Sequence, residues 1–319
     1  MTVPSPRPPA GSVAGGRFVP DALNSGPASP DDLCLLVDGR KLLVASAGGF
    51  PAVRDLPAGT EWIPLGTLDG ARVWAGALPT PQAVPAAEAA TTEAAVAGAP
   101  GLARPAPAPA DGALGDWLGW PRVAAELGEP YAALASRALQ VMTWRRTHRF
   151  CGACATELAD VPGEHARRCP SCAVYVPMQL SPAVLAAIRR PGPVGGVDEL
   201  LLVRHTYGPT EIWALVAGFV EAGESLEEAV HREVGEEVGL TVDRVTYFGS
   251  QPWAMSGPGV VLAGFHAVCA AGAEPVVDGT ELADARWFPL DRLPDEIPPT
   301  YSISRWLIDD AVRTAAPRS

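Results

Sequence analysis

Long apolar runs are missing from this chain. No stretch approaches the roughly 20 residues needed to cross a bilayer, so no membrane span is expected. The N-terminus lacks the hydrophobic core of a secretory leader, and Met1 to Gly16, rich in Pro and Gly, reads as a disordered tail. Positive charge is in short supply. A formal net charge of -12 argues against a broad electrostatic grip on nucleic acid, while leaving room for binding one RNA end. Cysteine is sparse too: of six, four form two CxxC pairs, and Cys34 and Cys269 lie alone in apolar surroundings. That usage fits a reducing compartment and predicts a cytoplasmic protein.

At 319 residues the chain has room for two domains and a small module. Residues 17–78 carry short apolar runs (Leu33 to Val37, Lys41 to Val44, Trp62 to Leu65, Arg72 to Ala75) separated by the turn pairs Asp38-Gly39 and Asp69-Gly70. They read as strands and hairpins of a β-rich N-terminal domain. It holds no charged cluster of catalytic aspect, which points to a scaffold or dimer surface. Residues 79–112 are rich in Ala and Pro, with too few large apolar side chains to offset chain entropy, and read as a linker. Residues 113–148 read as a helical segment, because Leu134, Ala138 and Val141 recur at helical spacing within Tyr131 to Thr147.

The two CxxC pairs, Cys151-Gly-Ala-Cys154 and Cys169-Pro-Ser-Cys172, are fourteen residues apart and define a module over residues 149–176. Two such knuckles can place four thiolates tetrahedrally around Zn²⁺. A redox dithiol is the competing reading, but one CxxC would suffice for it and no βαβ pattern surrounds these. Four thiolates leave no open coordination position, so the zinc is expected to be structural, with His148 and His165 surplus to it.

A second cluster of chemistry lies between Gly218 and Leu240. Ser225 and Glu228 have the spacing of a capping box, and Gly239 is placed to end the helix they begin. At about 100° per residue, Leu226, Ala229, Val230 and Val234 share one sector that should face a core. Glu233 and Glu237 fall inside this sector and Glu236 at its edge. Carboxylates there are costly unless a cation meets them, and three at i, i+3 and i+4 repel one another. A hard divalent ion, Mg²⁺ or Mn²⁺, would turn the repulsion into binding. The plain alternative is an acidic, amphipathic surface helix.

The spacing is also a signature. Gly218, five residues, Glu224, seven residues, Arg232-Glu233, then Val234, Glu236-Glu237, Gly239 and Leu240 fill the fixed positions of the Nudix box. The chain thus resembles the Nudix hydrolases, which cleave nucleoside diphosphates linked to another moiety. Residues 177–319 are similar to their catalytic domain, an α/β fold built as an α/β/α sandwich with a mixed sheet. The apolar β-type runs Ala183 to Arg189, Glu199 to His205, Thr241 to Ser250, Val260 to Val268 and Ala285 to Phe288, closed by a helix over Tyr301 to Arg313, accord with this.

The order of parts, a β-rich region, a four-Cys ribbon and then the box, resembles the NADH pyrophosphatase branch. The segments Arg149-Phe150-Cys151-Gly152, Leu215 to Glu221 and Ser250-Gln251-Pro252-Trp253 recur from it, and Asp278 to Phe288 resembles its segment carrying a further metal-binding glutamate, here Glu281. The resemblance implies that Glu233, Glu236 and Glu237 hold catalytic Mg²⁺ or Mn²⁺, with Glu281 completing the shell or acting as base. It implies that Gly218 offers a carbonyl, that Arg232 orients a box carboxylate such as Glu224, and that Gln251, Trp253, Met255, Phe219 and Ala217 contact the substrate. That substrate would be NAD(H) or a related dinucleotide, cut to AMP and a mononucleotide, and the protein a homodimer. In the branch, Pro-Phe-Pro follows the Ser-Gln-Pro-Trp signature. Here Ala254-Met255-Ser256 does, exchanging a rigid aromatic for an adaptable thioether. Three rival readings stand beside this one: removal of NAD caps from RNA, hydrolysis of another nucleotide such as ADP-ribose or a modified dinucleotide, and a non-catalytic nucleotide sensor.

Overall fold

The computed structural model describes residues 18–21, 26–46, 48–56, 59–77, 114–128, 130–193, 196–207, 211–255, 259–277 and 279–315. The N-terminal tail over residues 1–16 and the linker over 79–112 lie outside them. The chain divides into two compact units, one ending at Gln179 and the other beginning at Leu180, with Ala254 and Met255 grouped with the first.

In the first unit, β1 (Phe18–Pro20), β2 (Leu33–Asp38), β3 (Lys41–Ala45), β4 (Trp62–Leu68), β5 (Ala71–Gly76) and β6 (Gly115–Gly119) form one sheet in the order β1-β4-β5-β2-β3-β6. The β4–β5 hairpin turns on Asp69 and Gly70, both with positive φ (51° and 84°), the geometry that matches the twist of the strands on either side. Strand β6 corrects the expectation that residues 113–148 are helical throughout. Gly115 sits so close to β3 that a Cβ would lie 1.8 Å from the Val44 carbonyl oxygen, an approach that only glycine permits. Helices α1 (Trp120–Glu126) and α2 (Tyr131–Thr147) follow, and α2 is buried around most of its circumference, including the expected Leu134, Ala138 and Val141. Three short strands, β7 (Ala159–Asp160), β8 (Ala166–Arg168) and β9 (Tyr175–Pro177), form the frame of the thiol module. Arg167 of β8 donates to the Arg145 and His148 carbonyls at the end of α2 (2.9 and 2.6 Å) and pairs with Asp160 (2.9 Å), fastening that frame to the helix.

The second unit is an α/β/α sandwich. Its sheet runs β13-β14-β10-β11-β15, from β10 (Ser181–Arg190), β11 (Glu199–His205), β13 (Val242–Trp253), β14 (Val260–Cys269) and β15 (Leu282–Pro289), and β12 (Val216–Phe219) also pairs with β10. The sheet is mixed, because β10 and β14 run parallel through nine residue pairs while the other pairings are antiparallel. Alternation along β10 explains the two covering helices. Val184, Ala186 and Ile188 face helix α3 (Leu226–Val238), and Leu185 and Ala187 face helix α4 (Ile303–Thr314). Among the described residues, no helix is long and apolar enough to cross a membrane.

Candidate active site

Helix α3 starts where its sequence says it should. Ser225 Oγ accepts from the Glu228 backbone N–H (3.2 Å), the Ser225 N–H donates to Glu228 Oε2 (2.8 Å), and Gly239 ends the helix in the left-handed conformation (φ 65°). This fixes the rotation of the helix. Ala229, Val230, Val234 and Val238 enter the core, carrying Glu233 and Glu237, each only 9% exposed, to its margin.

Three features hold these acids. First, β12 runs alongside, and a Cβ on Gly218 would lie 1.9 Å from Glu233 Cδ, so the missing side chain is the space that the carboxylate fills. Second, Arg232 engages all five of its N–H donors. Its Nε and Nη2 form a two-pronged pair with Glu224 (2.5 and 3.0 Å), Nη1 reaches Glu233 (2.8 Å) and Glu236 (3.0 Å), and Nη2 also reaches the Phe219 carbonyl (2.8 Å). These partners raise its already high pKa further, Glu224 most of all. Third, Glu237 takes a backbone hydrogen bond from Ala217, but its Oε2 is buried with no partner among the described residues. Burial, and then the charges of Glu233 and Glu281, push this carboxyl up to about 8. Glu233 is raised for the same leading reason, against the opposing pull of Arg232. An orphan buried oxygen, a glycine cradle and an all-oxygen donor set fit a hard divalent cation.

In the thiol module the sulfurs of Cys151, Cys154, Cys169 and Cys172 all lie within 4.8 Å of one another. Three of the separations are 3.5 Å, near the roughly 3.8 Å edge of a tetrahedral zinc–thiolate site. The two knuckles are built alike. Ala155 and Ala173 each adopt positive φ (59° and 62°) just after a pair's second cysteine, and each donates its N–H to the carbonyl of the first (2.8 and 3.0 Å). Four thiols with no vacant position fit a structural zinc. Among the described residues the carboxylates form no set as tight, and Glu233 and Glu236 share the Arg232 Nη1.

Residues 146–174 match the NADH pyrophosphatase zinc ribbon domain, and residues 180–307 match the NUDIX domain. A NAD-capped RNA hydrolase from Deinococcus radiodurans is 38% identical over 288 residues, covering 90% of this chain and 90% of the relative. The chain belongs to the Nudix hydrolase family. A second relative of the same name, from Stutzerimonas stutzeri, is 38% identical over 201 residues, covering 63% of this chain and 69% of that protein. Among solved structures, a Nudix hydrolase from Nitrosomonas europaea overlaps 52% of this chain and 94% of its own at 21% identity and a TM-score of 0.39.

Around the Nudix box the remaining expected residues fall out unevenly. Phe219 is 53% exposed at the end of β12, and Ala217 on the same strand is partly exposed. Trp253 ends β13 half-buried. Met255 is exposed and its carbonyl accepts from Arg40 Nη1 (2.9 Å), while Ser256 lies outside the described residues. Gln251, expected in a base or ribose pocket, is tied to the start of α4. It is 6% exposed, its Nε2 donates to the Tyr301 carbonyl and its Oε1 accepts from the Ile303 N–H (2.8 Å each). Both ends of the amide thus take part in seating the start of α4.

Two residues near the acids escaped the sequence reading: His205, which ends β11, and Tyr207 just beyond it, whose rings pack at 5.1 Å. Burial lowers the pKa of the His205 imidazole, against the nearby charge of Glu281. Burial raises that of the Tyr207 phenol, with Glu237, Glu281 and Glu233 adding to the rise. The signal was available: a histidine and a tyrosine two apart, where a β-type run gives way to a Gly/Pro loop before the box.

Proposed function

We propose that this Nudix hydrolase cleaves the pyrophosphate bond of NAD(H) or a closely related dinucleotide, giving AMP and a mononucleotide. The observation that carries this reading is the half-neutralised acid cluster on α3, where Glu237 keeps a buried oxygen without a partner, in a chain that also holds the NADH pyrophosphatase ribbon. Glu233, Glu236 and Glu237, with Glu281 and the Gly218 carbonyl, would hold Mg²⁺ or Mn²⁺. When bound, such ions supply positive charge to the phosphoryl oxygens and acidify water.

The chain's own groups do the rest by positioning. Arg232 fixes Glu233 and Glu236 so that their free oxygens share one side of the helix. Glu281 either completes the oxygen set or takes the proton from the attacking water. Water adds to one phosphorus, the P–O bond to the bridging oxygen breaks, and the second phosphate leaves carrying that oxygen. Phe219, Trp253 and Met255 are the candidates to contact the base or ribose, with Ala217 beside the phosphates. A homodimer and a cytoplasmic location, the latter from thiols that are all unpaired, belong to this proposal.

A second reading, removal of an NAD cap from RNA, is favoured by the shared name of the relatives and uses the same bond cleavage. The test is one screen. NAD⁺, NADH, ADP-ribose, FAD, nucleoside triphosphates and NAD-capped RNA are incubated with Mg²⁺ or Mn²⁺, and products are read by mass. AMP plus the nicotinamide mononucleotide from NAD(H) is expected. Turnover confined to nucleoside triphosphates would overturn the assignment, and turnover of capped RNA far above free NAD(H) would favour the second reading.

A further inference from the structure

With every N–H of Arg232 engaged by Glu224, Glu233, Glu236 and the Phe219 carbonyl, the cation nearest the acids has no donor left for a substrate. A pyrophosphate nevertheless brings anionic oxygens, and those not met by cations need hydrogen-bond donors. The end of β11 offers one. Pairing between β11 and β15 runs in register to Arg204↔Asp284 and then slips, so that His205 meets Leu282, a bulge of the kind that re-aims side chains beside active sites. Just past it, the Thr206 N–H donates to the Glu281 carbonyl (2.9 Å), and Thr206 Oγ1 donates to the carbonyls of Thr280 (2.9 Å) and Glu281 (3.2 Å). The backbone bearing Tyr207 is thereby tied to the backbone bearing Glu281.

His205 braces the Tyr207 ring from one side (38° between planes), while Tyr207 as a whole stays 57% exposed. Among the described residues nothing hydrogen-bonds its hydroxyl, and the phenol stands within the field of Glu233, Glu237 and Glu281. A phenol packed against His205, on backbone tied to that of Glu281, with no hydrogen-bond partner for its O–H among the described residues, is arranged to meet an anion that enters together with cations.

We infer that Tyr207 is a substrate-binding residue of the pyrophosphate subsite, its hydroxyl donating a hydrogen bond to a non-bridging phosphate oxygen of the dinucleotide. This rests on the dinucleotide reading above and adds a contact that the box motif does not contain. Every dinucleotide substrate shares the pyrophosphate, so the contact predicts a loss blind to the base. The full-length protein with Mg²⁺ is compared with Tyr207→Phe on NAD⁺, NADH and ADP-ribose. Loss of one hydrogen bond to a charged group should lower kcat/KM about tenfold, by the same factor on all three, with Tm unchanged. A change of less than about twofold throughout would overturn the inference, and so would a loss that depends on the base, which would place the phenol elsewhere. Should wild type turn over no dinucleotide, the proposed reaction fails. Calorimetry of ADP-ribose binding with Mg²⁺ then reads the same hydroxyl: about tenfold weaker binding by Tyr207→Phe sustains the inference, and equal affinity overturns it as well.

Discussion

The ribbon and helix α3 both crowd together groups that repel when ionised, and they do so by opposite means. In the ribbon, two turns of near-identical geometry bring four sulfurs within 4.8 Å, with no cationic side chain hydrogen-bonded to any of them among the described residues. On α3, Arg232 stands among Glu224, Glu233 and Glu236, and the helix draws further stability from Ala229, Val230, Val234 and Val238 in the core. The thiol site has little apolar core of its own, essentially Cys151, Leu158, Cys169 and Val176, so a bound zinc would carry much of its stability. The carboxylate site is held by the protein's own arginine and core. On the proposed reading, a zinc in the ribbon is part of the fold and a divalent ion on α3 is a reagent.

The sharpest break in this comparison is Cys154→Ser. Zinc should leave, and the ribbon should lose its structure, because binding and folding are coupled in such modules. Elemental analysis and thermal unfolding check it, and wild-type protein free of zinc would undo the ribbon half of the contrast. Next in size is Glu237→Gln, which should lower turnover by at least about a hundredfold at saturating Mg²⁺ while leaving the fold intact. It should also alter the response of stability to pH. Burial raises this carboxyl from an unfolded value near 4.5 to about 8. Its neutral form thus stabilises the metal-free fold fully below about 4.5, and that contribution is lost as pH rises through about 8. The Gln variant should flatten that part of the Tm profile; an unchanged slope would mean that Glu237 is not the buried acid described here.

Gly218→Ala should cost less. The added Cβ falls 1.9 Å from Glu233 Cδ, the far end of a side chain that can swing away, so Tm should hold while turnover drops roughly tenfold or more. Normal activity would show that the cradle is incidental. The smallest effect is Ala173→Gly. Relief of a left-handed alanine, about 1–2 kcal/mol, is partly cancelled by the looser unfolded chain. The net gain should stay under about 1 kcal/mol and register as slower zinc loss to a chelator.

Legibility in the sequence followed the range of the interaction. Helix α3 was readable to the residue because its cap, box and stop are local, and the thiol knuckles for the same reason. Strand β6 was not, since its partner β3 lies some seventy residues earlier and its signal is Gly115, a residue that marks a close approach without naming the neighbour. The second task of Gln251 was not legible, because the start of α4, whose backbone meets both ends of its amide, lies fifty residues on. Tyr207 was passed over because its link to Glu281 runs past a bulge at the end of β11, which the spacing of His205 and Tyr207 does not by itself reveal.

Strand β10 pairs in parallel with β14 from Ser181↔Val260 to Arg189↔Val268, partners about 80 residues apart, and the whole Nudix box lies in the intervening loop. The apolar side of α3 rests on residues from both strands, Val184, Ala186 and Ile188 on one and Phe265 and Ala267 on the other. A ribosome will therefore have released every carboxylate of the box before the surface that α3 packs on is complete. Until Val260 to Cys269 emerges, α3 is a short acidic segment with half a floor beneath it, too short to persist alone in water. A nascent chain halted before β14 would carry the complete motif on a helix that still lacks half of its packing surface, so the seat of the box is completed by a strand that bears none of the box carboxylates.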